Sequence, residues 1–335
     1  MYFVDNGDNY DASVNIALET YLVENRLVDE PILLFYINSP SIIIGRNQNT
    51  FEEINQPYVE EKDITVVRRM SGGGAVYHDL GNFSFCFIKD DDGSFRDFKA
   101  FTQPVIEALH KMGARTAELL GRNDLLVDGK KFSGNAMYAK NGRMTAHGTI
   151  LFDSDLDEVN NALKPNKAKF ESKGVKSVRS RVTNLKPYVD DEYKDMTTEE
   201  FRDKLLLEIF KVDKRENVKE YHLTEEDWKA VYKIREERFG NWDWNYGHSP
   251  KFDIKVAKKF PFGFVDMRFK THKVMIEDVK IYGDFFGLGE IEDVENALRG
   301  VKFEKNAVKE VLTNINLKQY LGDVTAEELV ELIFS

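Results

Sequence analysis

The chain has 335 residues, 42% hydrophobic and 31% charged, and its 47 Lys plus Arg against 58 Asp plus Glu give a formal net charge of −11. That mix excludes a disordered or fibrous chain, and the length suits one large domain with a smaller one beside it. The acidity disfavours nucleic acid or an anionic membrane as a partner for the whole surface. The longest unbroken apolar run, Ile32 to Ile37, is far short of the ~20 residues of a membrane span. Met1 to Asp11 lacks the basic start and apolar stretch of a signal peptide, and one cysteine, Cys86, cannot close an internal disulfide or build a zinc site alone. A reducing cytoplasm is the expectation.

In chain order, Asp11 to Glu24 reads as a helix capped by Asp11 or Ser13, with Val14, Leu18, Tyr21 and Leu22 on one face. Ile32 to Asn38 and Ser41 to Gly45 are strand-like on either side of a Ser-Pro turn. Ile64 to Arg69 and Asn82 to Ile88 read as two strands flanking a glycine-rich turn. Phe98 to Met112 is a helix stopping at Gly113. Leu125 to Val127, then Asp128-Gly129 and a further extended stretch, form a tight hairpin. Ala146 to Phe152 is a strand, and helices follow at Thr198 to Phe210 and Glu225 to Phe239. Turn residues near Phe239 to Ser249 mark a boundary, expected to divide the chain into 1–246 and 250–335. Beyond it, Phe252 to Phe260, Phe262 to Lys270 and Val274 to Ile281 alternate as strands, and helical segments lie near Ile291 to Leu298, Ala307 to Leu312 and Ala326 to Ile333. Many hairpins with segregated helices indicate an α+β fold.

The densest chemical signal is Arg68 to Asn82, in which Gly72, Gly73 and Gly74 follow two arginines. Consecutive glycines let backbone N–H groups converge on an anion, and arginine adds charge for phosphate or carboxylate; a plain hairpin turn beside solvated arginines reads equally well. Neither a P-loop nor a dinucleotide fingerprint fits this stretch. A second cluster is Gly121-Arg122-Asn123-Asp124 with Lys130 to Ala136. Its lysines could simply solvate a turn, but Lys131 alternates with Phe132, and an inward lysine needs an anionic partner. His147, between Ala146 and Gly148, has the surroundings of a satisfied core histidine. Lys164 to Lys186 holds eight Lys or Arg and one acid, Glu171, which makes it either a solvated face or a landing site for triphosphate or an acidic protein. No Gly-x-Ser-x-Gly, His-Glu-x-x-His or Cys-x-x-Cys pattern is present, and Cys86 sits among large apolar neighbours as a packed thiol would.

Taken together and in order, these stretches resemble the lipoate–protein ligase family. The resemblance rests on Arg68 to Asn82, Gly121 to Asp124, Lys131 to Gly134, His147 to Thr149 and Ser177 to Leu185, with Ile44 to Asn49 and the Trp242 to Gly247 junction beside them. It implies a mixed or antiparallel sheet of the biotin–lipoate ligase type, related to class II synthetase cores, plus a small α+β C-terminal domain. It also implies activation of lipoate by ATP, with Mg²⁺, to lipoyl-AMP, and transfer to a lysine of lipoyl carrier domains: the E2 subunits of 2-oxoacid dehydrogenases or the glycine-cleavage H protein.

Carried over by residue, the resemblance implies that Arg69, Gly72, Gly73 and Gly74 cradle the adenylate phosphate, and that Ala75, Val76 and Tyr77 contact the nucleotide. Lys131 bridges phosphate and acyl oxygen as the essential lysine. Asn123 and Asp124 orient Lys131 or a Mg²⁺ ion, with Asp124 as the metal ligand. Ile16, Tyr36, His78 and His147 line the lipoyl tunnel and its mouth. Lys167, Lys169, Lys173 and Lys176 are the candidates for docking the carrier, and Asn245 to Ser249 for a hinge. The nearest rival is an ATP-independent lipoyl or octanoyl transferase of the same superfamily, which uses a cysteine nucleophile. A silent lipoate-binding protein and a biotin ligase fit less well.

Overall fold

A computed structural model describes residues 1–164, 182–246, 254–272 and 274–334. Among these, strands β1 (Tyr2–Val4), β2 (Ile32–Tyr36), β6 (Asn82–Asp90), β10 (Arg143–Leu151), β9 (Lys130–Lys140), β8 (Asp124–Val127) and β7 (Glu118–Leu120) form one sheet in that order. Only the β1–β2 pairing is parallel, so the sheet is mixed.

Both faces of this sheet are covered, which is why its strands read as near-continuous apolar runs rather than alternating ones. Leu33, Phe35, Phe83, Phe85 and Phe87 pack into one core with the helices Phe98–Lys111 and Thr198–Phe210. The intervening residues Ile32, Leu34, Tyr36, Cys86 and Ile88 face the other way, onto helix α1 (Ala12–Glu24). The two-residue side-chain period of a strand sorts them. Asp11 caps α1 by accepting from the Ser13 N–H. The expected one-sided apolar stripe of α1 is not what forms: every residue from Ala12 to Val23 is buried. The helix Glu225–Ile234 and the π-helical turn Arg235–Phe239 cover its outer side, so polar residues such as Asn15 and Glu19 lie in the interior.

The reading of residues 64–69 and 82–88 as strands flanking one turn needs correction. Strand β4 (Thr65–Arg68) runs parallel beside β3 (Ser41–Ile44), and β5 (Val76–His78) runs antiparallel on the other side of β3. The glycine-rich stretch therefore arches from one edge of a small second sheet to the other, and β6 belongs to the large sheet. Three glycines relax the backbone enough for that arch, whereas a two-residue hairpin would have paired β4 with β5 directly.

After Tyr246 the chain forms a third sheet, β11 (Ile254–Phe260), β12 (Gly263–His272) and β13 (Met275–Gly283), all antiparallel. With the helices Ile291–Leu298, Lys305–Thr313 and Ala326–Ile333 it closes an apolar core drawn from Phe260 to Ile333. Among the described residues no helix is long and apolar enough to cross a membrane.

Candidate active site

A cleft of about 580 Å³ opens where α1, the glycine-rich arch and strands β5, β6, β9 and β10 meet. Its wall carries Ile16, Tyr36, Ile43, Ser84 and His147 on the inner side and Gly73 to Val76, Asn123, Lys131 and Asn135 nearer the mouth.

Lys131 reaches the cleft through two local irregularities. The β8–β9 pairing slips between Leu125 and Leu126, and Asp124 lies opposite Gly134. A Cβ on Gly134 would stand 3.1 Å from Lys131 Nζ, so glycine there leaves room for the lysine to fold back along its own strand. Nζ then meets Asp124 Oδ1 at 2.7 Å, both side chains remaining about two-fifths exposed. Phe132 beside it is fully buried. The anionic partner expected for an inward lysine is Asp124, and it leaves ammonium N–H groups for a substrate oxyanion. The chain beyond residue 181 returns to this place, with Thr183 N–H donating to the Lys131 carbonyl at 2.8 Å.

Arg69 is 5% exposed and shapes the arch. Its Nε donates to Ser71 Oγ at 2.9 Å, Nη1 to the Ile43 carbonyl at 3.1 Å, and Nη2 to the carbonyls of Gly72 and Gly74 at 2.6 and 2.9 Å. These bonds occupy the loop's carbonyl oxygens, which would otherwise repel an anion. Burial pushes the guanidinium down to about 10, with Arg68 adding to the shift, and it stays cationic at neutral pH. Arg68, read from the sequence as a second anion-binding charge, does other work. It donates to the carbonyls of Gly45, Arg46, Gln48, Trp244 and Asn245 and to Thr50 Oγ1, tying the Gly45–Asn49 turn to the helix Trp242–Asn245.

Behind the cleft stands a polar cluster centred on Glu19, a residue that was not singled out in the sequence. Glu19 of α1 accepts from His147 Nδ1 at 2.6 Å, Cys86 Sγ at 3.1 Å and the Tyr36 hydroxyl at 3.3 Å. Burial opposes ionisation of Glu19, but the His147 imidazole and these three hydrogen bonds outweigh it and hold the carboxyl below its ordinary range. Burial, and then the Glu19 carboxylate, raise the Cys86 thiol well above its usual value. Cys86 is fully buried and its proton is held, so it offers no thiolate to a substrate. His78 accepts at Nδ1 from Asn38 Nδ2 at 2.9 Å, while burial, then Arg69 and His147, push it down to about 3. It is neutral and keeps Nε2–H as a donor.

The shape combines an apolar slot, a cationic mouth and a backbone cradle, and among the described residues no thiol borders it. Residues 11–210 match the family of the lipoyl protein ligase A/B catalytic domain, and residues 249–333 match the bacterial lipoate protein ligase C-terminus. The chain belongs to the lipoate–protein ligase family. It is 53% identical over 335 residues to lipoate-protein ligase LplJ of Bacillus subtilis, covering 100% of both chains. Among solved structures, the P. falciparum LipL1 complex with lipoate superposes with a TM-score of 0.78 at 26% identity, covering 94% of each chain. Lipoate-protein ligase A bound with ATP superposes at 0.58 and 27% identity over 74% of this chain and 97% of that one.

Of the residues anticipated for a ligase of this family, Ile16, Tyr36, Arg69, Gly73, Gly74, Ala75, Val76, His78, Asn123, Lys131 and His147 all border the cleft. Three do not. Gly72 lies beneath the Phe285 carbonyl of the C-terminal part. The Tyr77 ring packs with Ile42, Ile44 and Val66 in a separate core, because β5 alternates and Val76 takes the cleft side. Asp124 acts through its ion pair with Lys131. Asn123 donates to the Asn135 carbonyl at 2.6 Å, which fixes the β8–β9 corner beside the lysine. Sequence reading missed Ser71, Ser84, Asn135 and Glu19 as contributors. A carboxylate four residues after Asn15 in an otherwise apolar helix was the available signal. Residues 165–181, with the proposed docking lysines, and part of the proposed hinge lie outside the described residues.

Two donor sets bear on metal. Glu19, Cys86 and His147 place their ligand atoms within 4.8 Å of one another, but they satisfy each other by hydrogen bonds and the thiol holds its proton. Asp124, joined to the mouth through its ion pair with Lys131, offers a single carboxylate, and Mg²⁺ commonly binds through one or two carboxylates plus substrate phosphates.

Proposed function

We propose that the cleft performs both half-reactions of an ATP-dependent lipoate–protein ligase. Lipoate enters with its ring toward Tyr36 and Ile16, and its carboxylate stops at the mouth beside Lys131. The carboxylate attacks the α-phosphorus of ATP, pyrophosphate leaves, and lipoyl-AMP remains. The ε-amine of a carrier lysine then attacks the acyl carbonyl and releases AMP. Both steps build negative charge on oxygens, and neither needs a protein nucleophile. The protein's task is to position the reactants and to stabilise charge with Lys131, with the backbone of Gly73 and Gly74, and with Nε2–H of His78. Bound Mg²⁺, held by Asp124 and the substrate phosphates, would neutralise phosphate charge.

The observation that carries this reading is the placement of Lys131 Nζ at the mouth of the slot, opposite the arch that Arg69 holds. The ATP-independent transferase is not favoured, because the one cysteine is fully buried behind the cleft, its S–H donating to Glu19. The partners are lipoyl-domain carriers, proposed as E2 subunits and the glycine-cleavage H protein, and the setting proposed is the cytoplasm. The division proposed is 1–246 for catalysis and 250–335 as an accessory part. Contacts between the two support a common function: Arg122 donates to the Phe262 and Asp284 carbonyls, and Arg96 to Phe286 and Lys318.

The test is incubation of the protein with lipoate, ATP, Mg²⁺ and a lipoyl domain, followed by intact-mass analysis. A lipoyl mass increment that requires ATP, with AMP and pyrophosphate as products, is expected. An increment that appears without ATP, from a lipoylated donor domain, would favour the transferase.

A further inference from the structure

Ser71 connects the polar cluster behind the cleft to the arch in front of it. Its Oγ lies 2.9 Å from Arg69 Nε and 2.8 Å from His147 Nε2, and His147 Nδ1 lies 2.6 Å from Glu19. With His147 neutral, hydrogen-bond accounting gives every bond a direction. Arginine can only donate, so the serine oxygen accepts from Nε. The single hydroxyl proton is then free for His147 Nε2, which accepts it. Nδ1 therefore carries the imidazole proton and donates it to the ionised Glu19. The result is a one-way chain, Arg69 to Ser71 to His147 to Glu19, ending on a buried carboxylate that Cys86 and Tyr36 also serve.

The same atom order occurs in hydrolytic serine–histidine–acid triads, but nucleophilic attack is closed to this one. Ser71 is 1% exposed, it does not border the cleft, and its oxygen is capped by the guanidinium. What the chain can do is hold Arg69. That arginine in turn holds the carbonyls of Gly72 and Gly74, and so the shape of the arch. Aligned bonds ending on a charge polarise one another, which stiffens the arrangement beyond a single serine–arginine contact.

We propose that Ser71, His147 and Glu19 are positioning residues for adenylation, setting the glycine-rich arch through Arg69. This rests on the reading of the arch as the nucleotide cradle. Lipoate binding in the apolar slot does not depend on the chain's serine link, whereas the reaction with ATP does.

The experiment compares wild type with Ser71→Ala and Ser71→Thr, the latter keeping the hydroxyl. Three quantities are measured: lipoate-dependent ATP–pyrophosphate exchange, lipoate affinity by calorimetry, and the ¹⁵N shifts of the His147 ring. Losing one hydrogen bond to a charged group lowers the exchange kcat about ten- to a hundredfold in Ser71→Ala, with lipoate Kd within about threefold and substantial recovery in Ser71→Thr. The wild-type ring should show a neutral imidazole protonated at Nδ1. Three results would overturn the proposal: exchange in Ser71→Ala within about threefold of wild type, an equal loss of lipoate affinity and exchange, or a wild-type ring protonated at Nε2. If wild type catalyses no lipoate-dependent exchange, the functional reading fails, and the ring tautomer still decides the direction of the chain.

Discussion

Glu19 and His147 stand 128 positions apart in the chain, and a 2.6 Å hydrogen bond joins them behind the cleft. The bond spans α1 and β10, so the helix that covers the sheet also sets the orientation of an imidazole on the cleft wall. A buried carboxylate is tolerated there because three donors surround it, and a charge so served resists displacement.

Gly73 and Gly74 should respond differently to alanine. Gly73 has φ +92, and a Cβ there would stand 2.9 Å from Arg69 Nη2 and 3.2 Å from the Phe286 ring; at Gly74 nothing lies within 4 Å. The strained backbone alone costs Gly73→Ala on the order of 1 kcal/mol, and the clash with Arg69 adds to it. Thermal melting should show a clear loss for Gly73→Ala and little for Gly74→Ala. Equal melting temperatures would contradict this account of the arch.

Acid should destabilise the fold through His78. Its folded value of about 3 lies below the ordinary histidine value, so the unfolded chain binds the proton more readily. The stability this confers is complete above about pH 6.5 and is lost as pH falls toward 3. Glu19, also lowered, acts in the same direction further down the acid range. Between pH 7 and pH 5, urea denaturation should register a loss of about 2 kcal/mol from His78. His78→Gln should flatten that slope, and an unchanged slope would place the acid sensitivity elsewhere.

How much of this the sequence disclosed depended on the kind of signal. The hairpin at Asp128-Gly129 and the helices Phe98–Lys111 and Thr198–Phe210 were legible because turn chemistry and caps are local. The pairing of β4 and β5 around β3 was not, since nothing in residues 64–88 says which strand lies between them. Arg68 and Arg69 look alike in sequence, yet one braces the Gly45–Asn49 turn and the other braces the arch; only their three-dimensional neighbours distinguish them. Glu19 was overlooked because its helix was expected to have a solvent face, and the helix Glu225–Ile234 buries that face.

Cys86→Ser should keep ligase activity. The serine hydroxyl can still donate to Glu19, and the change leaves the cleft wall intact. A modest loss of stability is expected from placing a more polar atom in a packed strand. Carrier lipoylation, measured alongside a melting curve, checks this. Abolished lipoylation with a normal melt would mean that the thiol reacts, and would revive acyl transfer through cysteine.

The central claim is that Lys131 stabilises formation of the adenylate at the cleft mouth. The most direct measurement is lipoate-dependent ATP–pyrophosphate exchange by Lys131→Ala beside wild type, with biotin as a negative control. Lys131 is partly exposed and its ion pair with Asp124 lies near the surface, so the variant should fold normally. Removing one positioned donor to a developing charge typically costs ~2.7–4 kcal/mol, which corresponds to a loss of exchange of about 10²- to 10³-fold. That loss, with lipoate-dependent exchange in wild type and none with biotin, is the predicted result. Exchange in a folded Lys131→Ala protein within about threefold of wild type would contradict the account.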